Sequence, residues 1–451
     1  MERDKLKSRL GFILISAGCA IGIGNVWKFP YMAGQYGGGI FVLIYLFFLL
    51  FMGVPVMTIE FALGRASQKS PVKMYQQLEK PGHKWHLHGY AAMIGNYILM
   101  MFYTTVAGWM LYYFVQTALG KFVGADNAVI TTAYDQMLAN PWGMTIYLAI
   151  VILSGFGTCA LGLQKGIEKI TKSMMVALLA IMVILAVNSI FMEGGGEGLS
   201  FYLKPDINKL KEIGIGNVIV GAMNQSFFTL SVGIGSMAIF GSYLNKERSL
   251  LGESVNIAFL DTFVAITSGL IIFPACFAYG VEVDSGPSLI FKTLPNIFAH
   301  MPGGRVWGSL FFIFLSFAAL STVFAVFENI IACTLDLFKC SRKKACLING
   351  ILLFVLSLPC VLGFNVLSNI QPLGEGSTIM DLEDFLVSNI LLPLGSLLFV
   401  IFALNRYGWG WKNFVAEANQ GKGLKVVNAM RWYMTFVLPV IILIIFIVGI
   451  I

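Results

Sequence analysis

The sequence is poor in charge. Only 12% of its 451 residues are Asp, Glu, Lys or Arg, against roughly 25% in a typical soluble domain. With 57% hydrophobic residues and a mean hydropathy of +0.80, no water-exposed packing can hide the apolar side chains, so the bilayer must be the solvent. Cysteine is scarce as well. The seven cysteines (19, 159, 276, 333, 340, 346 and 360) are odd in number and scattered, with no CxxC pair. That excludes a disulfide framework. Histidine numbers four. His83, His86 and His88 share one inter-segment stretch, which reads as a solvated loop rather than a metal site. No Walker motif, GxGxxG, HExxH or GxSxG occurs, and no paired catalytic carboxylates stand out. The chain is therefore not expected to be an enzyme.

What is present is a set of eleven apolar segments, each near the roughly 20 residues needed to span a bilayer. They lie at about 11–36, 40–63, 90–119, 143–162, 167–192, 216–243, 253–280, 306–337, 345–363, 381–404 and 431–451. The first is not a cleavable signal, because it carries Asn25 and Lys28 and runs on toward a second span. With the N-terminus placed inside, 23 Lys and Arg fall in inner segments and six in outer loops, with Lys28 inside a span. That asymmetry predicts a multi-pass protein of the cell membrane, N-terminus cytoplasmic and C-terminus outside. The net charge of +7 then serves topology and the inner leaflet. It gives no sign of nucleic-acid binding. One transmembrane domain, 1–451, is expected. Its two long outer loops, 120–142 and 193–215, would be structured caps or linkers.

The first segment contains SAGCAIGIGNVWKFPY at 16–31. Glycines, Asn25, Lys28 and Pro30 all oppose a continuous membrane helix. Gly18 and Gly22 form GxxxG, which suits close helix packing, but packing leaves Asn25 unexplained. A similar interruption, Gly233-Ile234-Gly235, sits in the sixth segment. Five spans separate the two. An odd number reverses direction, so the chain reads as a 5+5 inverted repeat with broken helices 1 and 6. Repeat one covers about 11–192 and repeat two about 216–404, with an extra helix at 431–451. A broken helix frees carbonyls for a cation and N–H groups for a carboxylate. Thr229 and Ser231 lie beside the second break. Intrahelical back-bonding is the plainer reading of both. Asp261, deep in the seventh segment, is expensive in lipid and by default functional. Ser321 and Thr322 add hydroxyls in the eighth. An oxygen-rich set of this kind suits a hard cation rather than a thiolate metal.

At this point the residues resemble a known family. RLGFILISAGCAIGIGNVWKFPY, GGGIF, MTIEFALGR, KGIEK, SFFTLSVGIGS and FAALSTVF occur in the order seen in the neurotransmitter:sodium symporters. The resemblance covers nearly the whole chain and is similar to bacterial members with eleven helices. It implies an all-α membrane protein with a LeuT-like fold. It also implies two sodium ions. The first would be held by the carbonyl of Ala20, by Asn25, Thr229 and Asp261, and by the substrate carboxylate. The second would take carbonyls of Gly18, Ile21 and Ala318 and hydroxyls of Ser321 and Thr322. The substrate carboxylate would meet the amides of Ile23 and Gly24 and the hydroxyl of Tyr103. Its ammonium would meet carbonyls of Ala20, Phe228 and Thr229, helped by Ser231. Leu99, Tyr103, Phe228, Ile234, Thr322 and Val326 would line the side-chain pocket, with Tyr103 and Phe228 as its lid. Glu60 would brace the sixth segment.

The resemblance also bears on substrate and ions. Members that carry monoamines have aspartate where this chain has Gly22. Glycine therefore favours a substrate that brings its own carboxylate, an α-amino acid with a hydrophobic or aromatic side chain. A small neutral amino acid or another zwitterion is the alternative. Asp261 stands where animal members have asparagine and need chloride, so chloride independence is expected. The outer gate would be Lys28 with Asp384, and lysine loses the bidentate fork of the usual arginine. The inner gate would be Arg3 with Asp336. Val176 replaces a proline found in many bacterial members. The expected activity is sodium-coupled symport by a monomer or loose dimer. A channel or a ligand-sensing receptor using the same ion site is the rival.

Overall fold

The computed structural model describes residues 6, 8–280 and 287–450. Among the described residues all named regular elements are helices. Nine are long and apolar enough to cross a membrane. A tenth crossing is a broken pair, α1 (Arg9–Ala20) and α2 (Gly24–Gln35), bent by 56°. The remaining crossings in chain order begin with α3 (Gly39–Ser67), α4 (His86–Ala118), α5 (Pro141–Ala160) and α6 (Leu163–Ile190). Next come α7 (Ile215–Thr229) and α8 (Ser236–Gly241), too short to span singly and separated by non-helical residues 230–235. The eleven-span expectation rests on counting this pair as one interrupted crossing. Then follow α9 (Leu250–Ala278), α10 (Gly304–Phe338), α11 (Arg342–Leu362), α12 (Ile379–Leu404) and α13 (Met430–Ile450).

Several helices carry a wide π-type turn whose position the prolines dictate. The turns Gly24–Lys28, Leu49–Gly53, Leu289–Thr293, Leu386–Leu391 and Tyr433–Val437 each end one residue before an X-Pro pair. The prolines are Pro30, Pro55, Pro295, Pro393 and Pro439. Proline lacks an N–H and its ring collides with the carbonyl four residues back. Widening the preceding turn moves that carbonyl away and keeps the helix running. Among the described residues the spans thus run on through the wide turns before these prolines, and α1–α2 and α7–α8 are interrupted at the glycine clusters.

The interior is built around α1, α8, α10 and the middle of α9. α1 buries nine of its twelve residues, and α10 lies between α1 and α4. α13 is peripheral, with only about a fifth of its most apolar stretch buried. The long loops 120–142 and 193–215 are not bare linkers. They fold into short helices, Asn127–Ala139, Gly195–Leu203 and Ile207–Ile213. The histidine expectation needs correction. His88 lies in α4, not in a solvated loop; it is buried, and its Nδ1 is 2.6 Å from the Tyr75 hydroxyl. His86 pairs with Glu79 at 2.6 Å. Helix α4 starts at His86, four residues before the expected boundary, because a 33-residue helix outruns the hydrocarbon core.

Candidate functional site

Helix α1 stops after Ala20, and the chain resumes its turn at Gly24. Asn25 bridges the gap. Its Oδ1 accepts the N–H of Gly22 at 3.2 Å, replacing a backbone partner lost at the break. Its Nδ2 donates to Asp261 Oδ1 at 2.8 Å and to the Asp261 carbonyl at 3.1 Å. Asp261 Oδ2 accepts from Thr229 Oγ1 at 2.9 Å and from the Tyr45 hydroxyl at 3.4 Å. Asn25, Asp261, Thr229 and Tyr45 are all fully buried. Among the described residues no basic side chain pairs with Asp261. A buried carboxylate surrounded by neutral donors and oxygen atoms is a place for a cation. Tyr45 is absent from the sequence expectation, since nothing sets it apart within FVLIYLFF.

A second oxygen cluster lies across the same break. Thr322 Oγ1 reaches the carbonyls of Gly18, Cys19 and Ile21 at 3.1, 3.4 and 3.4 Å, and that of Ala318 at 3.5 Å. Ser321 Oγ is 2.9 Å from the Ala318 carbonyl and 3.5 Å from that of Ile21. Each of the two hydroxyls thus bonds back to Ala318 within α10 and also spans to the unwound end of α1. Gly18, Ile21, Ala318, Ser321 and Thr322 therefore share one neighbourhood.

The second break is held open by its own residues. Gly233 and Gly235 take φ of +101° and +76°, and Ser231 sits at +49°, a strained setting for a side chain with a Cβ. Ser231 Oγ donates to the Cys19 carbonyl at 3.1 Å, joining the two breaks. Glu60 accepts the Gly233 N–H at 2.5 Å. Gln225 Nε2 donates to the Gly24 carbonyl at 2.9 Å. That tie, absent from the sequence reading, has no signal short of knowing which helix faces which.

Between the breaks lies a small cavity of about 20 Å³, lined by Ala20, Gly22, Gly24, Leu99, Tyr103 and Phe228, with Ser231, Ile234, Thr322, Cys19 and Leu392. Leu392 is an addition to the expected set. Val326 is buried on α10 but does not line this cavity. The Tyr103 hydroxyl accepts the Ile23 N–H at 3.0 Å, so the donors expected for a carboxylate converge here. Gly22 faces Tyr103 and Thr322. A Cβ on it would collide with the Tyr103 hydroxyl and come within 2.6 Å of Thr322 Oγ1. A larger cavity, about 310 Å³, lies beyond Tyr103 and Phe228, which line both spaces; Trp27, Lys28, Asp381 and Asp384 line the larger one. The two rings form the partition.

Lys28 does not make a tight ion pair. Its Nζ is 3.8 Å from Asp384 Oδ2, 3.5 Å from Ser388 Oγ and 4.0 Å from the centroid of the Phe228 ring. Ser388 in turn donates to Asp384 at 2.7 Å. Both charges are partly exposed, which keeps the pair weak, and the cation–π contact ties Lys28 to the Phe228 ring. Lys28→Met is accordingly expected to raise the substrate KM only about threefold, the loss of one partly exposed contact, as measured by initial uptake rates. On the opposite side, Asp336 accepts the Ser70 N–H at 2.7 Å. Arg3, its expected gate partner, lies outside the described residues.

Comparison with known proteins bears on the family and the fold. The family model described as "Sodium:neurotransmitter symporter family" matches residues 3–124 and 128–451. The sodium-dependent transporter YhdH of Bacillus subtilis is 33% identical over 445 residues, covering 97% of this chain and 96% of the relative. The sodium-dependent serotonin transporter of Drosophila melanogaster is 26% identical over 495 residues, 99% of this chain and 76% of that protein. The crystal structure of MhsT in complex with L-phenylalanine superposes with a TM-score of 0.88 at 35% identity, covering 99% of this chain and 100% of that one.

Proposed function

Because the chain belongs to the sodium:neurotransmitter symporter family, whose members are sodium-dependent transporters in membranes, we propose that it imports a hydrophobic or aromatic L-amino acid with sodium, without a chloride requirement. The observation that carries this reading is the convergence of Asn25, Thr229 and Asp261 beside a cavity whose wall at Gly22 has no side chain. Sodium is the driving cargo. Asn25, Thr229, Asp261 and the Ala20 carbonyl would hold one ion. Ser321, Thr322 and the carbonyls of Gly18, Ile21 and Ala318 would hold another. The substrate carboxylate would complete the first site, so sodium and substrate raise each other's affinity reciprocally. Asp261 brings a fixed negative charge to the site, which removes the need for an added anion.

Phe228 and Tyr103 would close over the bound substrate, and Lys28 would follow Phe228. Alternating access would move the two repeats, about 11–192 and 216–404, with the N-terminus cytoplasmic and the C-terminus outside. Inward sodium movement supplies about 2.3 kcal/mol per charge per 100 mV, enough for uphill uptake. L-phenylalanine in MhsT supports a large apolar side chain. The cavity volume of about 20 Å³ favours a second reading, a small neutral amino acid, unless the walls give way. Competition of unlabelled amino acids against labelled L-phenylalanine, in proteoliposomes with sodium, separates the two. Strong competition by leucine, tyrosine and tryptophan is expected. Competition by glycine and alanine alone would favour the second reading.

A further inference from the structure

Beneath the small cavity, on the side away from Lys28 and Asp384, two buried amides meet. Asn96 is on α4 and Asn329 on α10, at 1% and 0% exposure. Each lies seven residues from a cavity residue on its own helix, Asn96 from Tyr103 and Asn329 from Thr322. Seven residues are nearly two turns, about 10 Å. Tyr103 and Thr322 both face Gly22, and the two steps end on each other. Asn329 Nδ2 donates to Asn96 Oδ1 at 3.2 Å. Asn96 Nδ2 donates to the Ile234 carbonyl at 2.9 Å, and Asn329 Nδ2 reaches the same carbonyl at 3.4 Å. Ser236 Oγ donates to Asn96 Oδ1 at 3.4 Å. Asn96 Nδ2 also donates to the Ala92 carbonyl within its own helix, at 2.7 Å.

The shared acceptor gives the pair its meaning. Ile234 is in the non-helical stretch between α7 and α8, where carbonyls lose their helical partners. Ile234 itself lines the small cavity. Its neighbour Gly233 gives its N–H to Glu60. The stretch is thus gripped from two sides, by a carboxylate on α3 and by two amides on α4 and α10. Two asparagines in a membrane interior are costly unless bonded, and packing alone would be met by leucine at both positions.

We infer that Asn96 and Asn329 are a positioning pair: through its carbonyl they fix Ile234 in the cavity wall, and so set the selectivity for large over small substrate side chains. The inference rests on the amino-acid reading above. Neither residue touches the ion clusters. A general structural brace and a positioning pair differ in outcome. Loss of a brace weakens every substrate alike. Loss of the pair weakens only those substrates whose side chains reach Ile234.

The test uses the purified full-length protein with saturating sodium, and compares wild type with Asn96→Ala, Asn329→Ala and the double variant. Kd is measured for L-phenylalanine directly and for L-alanine by competition, together with the sodium concentration for half-maximal L-phenylalanine binding. Each single variant is expected to weaken L-phenylalanine about tenfold, a change of about 1.4 kcal/mol, and L-alanine by less than about twofold. The double variant is expected to lose less than the sum, because both amides act through one carbonyl. Half-saturating sodium should stay within about twofold. Where an alanine variant does not fold, Asn96→Ser and Asn329→Ser retain a hydroxyl and should show a selectivity shift in the same direction but smaller, about threefold. Equal weakening of both substrates, or no change, with wild-type binding intact, would overturn the pair's role and leave the amino-acid reading standing. Absence of sodium-dependent amino-acid binding in the wild type would overturn that reading and the inference with it.

Discussion

Asn25→Ala is expected to abolish sodium-dependent binding of the substrate, a fall of at least about a hundredfold in affinity at fixed sodium, or roughly 3 kcal/mol. The size follows from the number of bonds one side chain holds. Asn25 caps the N–H of Gly22 and donates twice to Asp261. Removing it frees the unwound end of α1, takes away an oxygen near the carboxylate, and leaves a buried Asp261 oxygen without its donor, a several-kcal/mol fault. Thr229→Ala should act in the same direction with a smaller loss, because it removes a single donor to Asp261. Equilibrium binding across a sodium titration measures both. Unchanged sodium dependence in Asn25→Ala would remove the Asp261 cluster from consideration as an ion site.

Gly22→Ala should severely damage transport. Its Cβ would meet the Tyr103 hydroxyl and Thr322 Oγ1. Both side chains are buried, so neither can retreat cheaply. Overpacking of this kind costs about 1–3 kcal/mol. Here it also pushes Tyr103 away from the Ile23 N–H, where a substrate carboxylate would sit. Loss of uptake by about a hundredfold or more, with the protein still folded, is expected, the sum of the steric term and a misplaced donor. Melting temperature together with uptake distinguishes the site effect from global unfolding. Near-normal uptake by Gly22→Ala would mean that substrate carboxylates bind elsewhere.

Much of the architecture was legible in the residues. Charge scarcity and the Lys/Arg asymmetry required a membrane protein. The glycines around Ile23 and Ile234 marked the two breaks, because only a break explains Asn25 beside them. Asp261, Ser321 and Thr322 stood out because polarity inside a span is expensive. Other features stayed hidden for physical reasons. The wide turns before Pro55, Pro295, Pro393 and Pro439 depend on a local rule about proline that hydropathy does not register. Tyr45 and Gln225 act by reaching across helices, and one chain read alone does not say which helices face each other. His88 looked solvated because its burial comes from Tyr75 and Phe399, both distant from the apolar window. In the sequence Lys28 reads as half of an ion pair; in the fold it also rests on Phe228, a contact visible only once the two helices are placed.

The most direct measurement is uptake of labelled L-phenylalanine into proteoliposomes containing the purified protein, with all chloride replaced by gluconate. Imposed inward sodium gradients, with and without an inside-negative potential, are compared with equal sodium on both sides. Accumulation above the external concentration that requires the sodium gradient, grows with the potential and persists without chloride is the expected result. Equilibration that ignores sodium, or uptake that stops when chloride is removed, would contradict it.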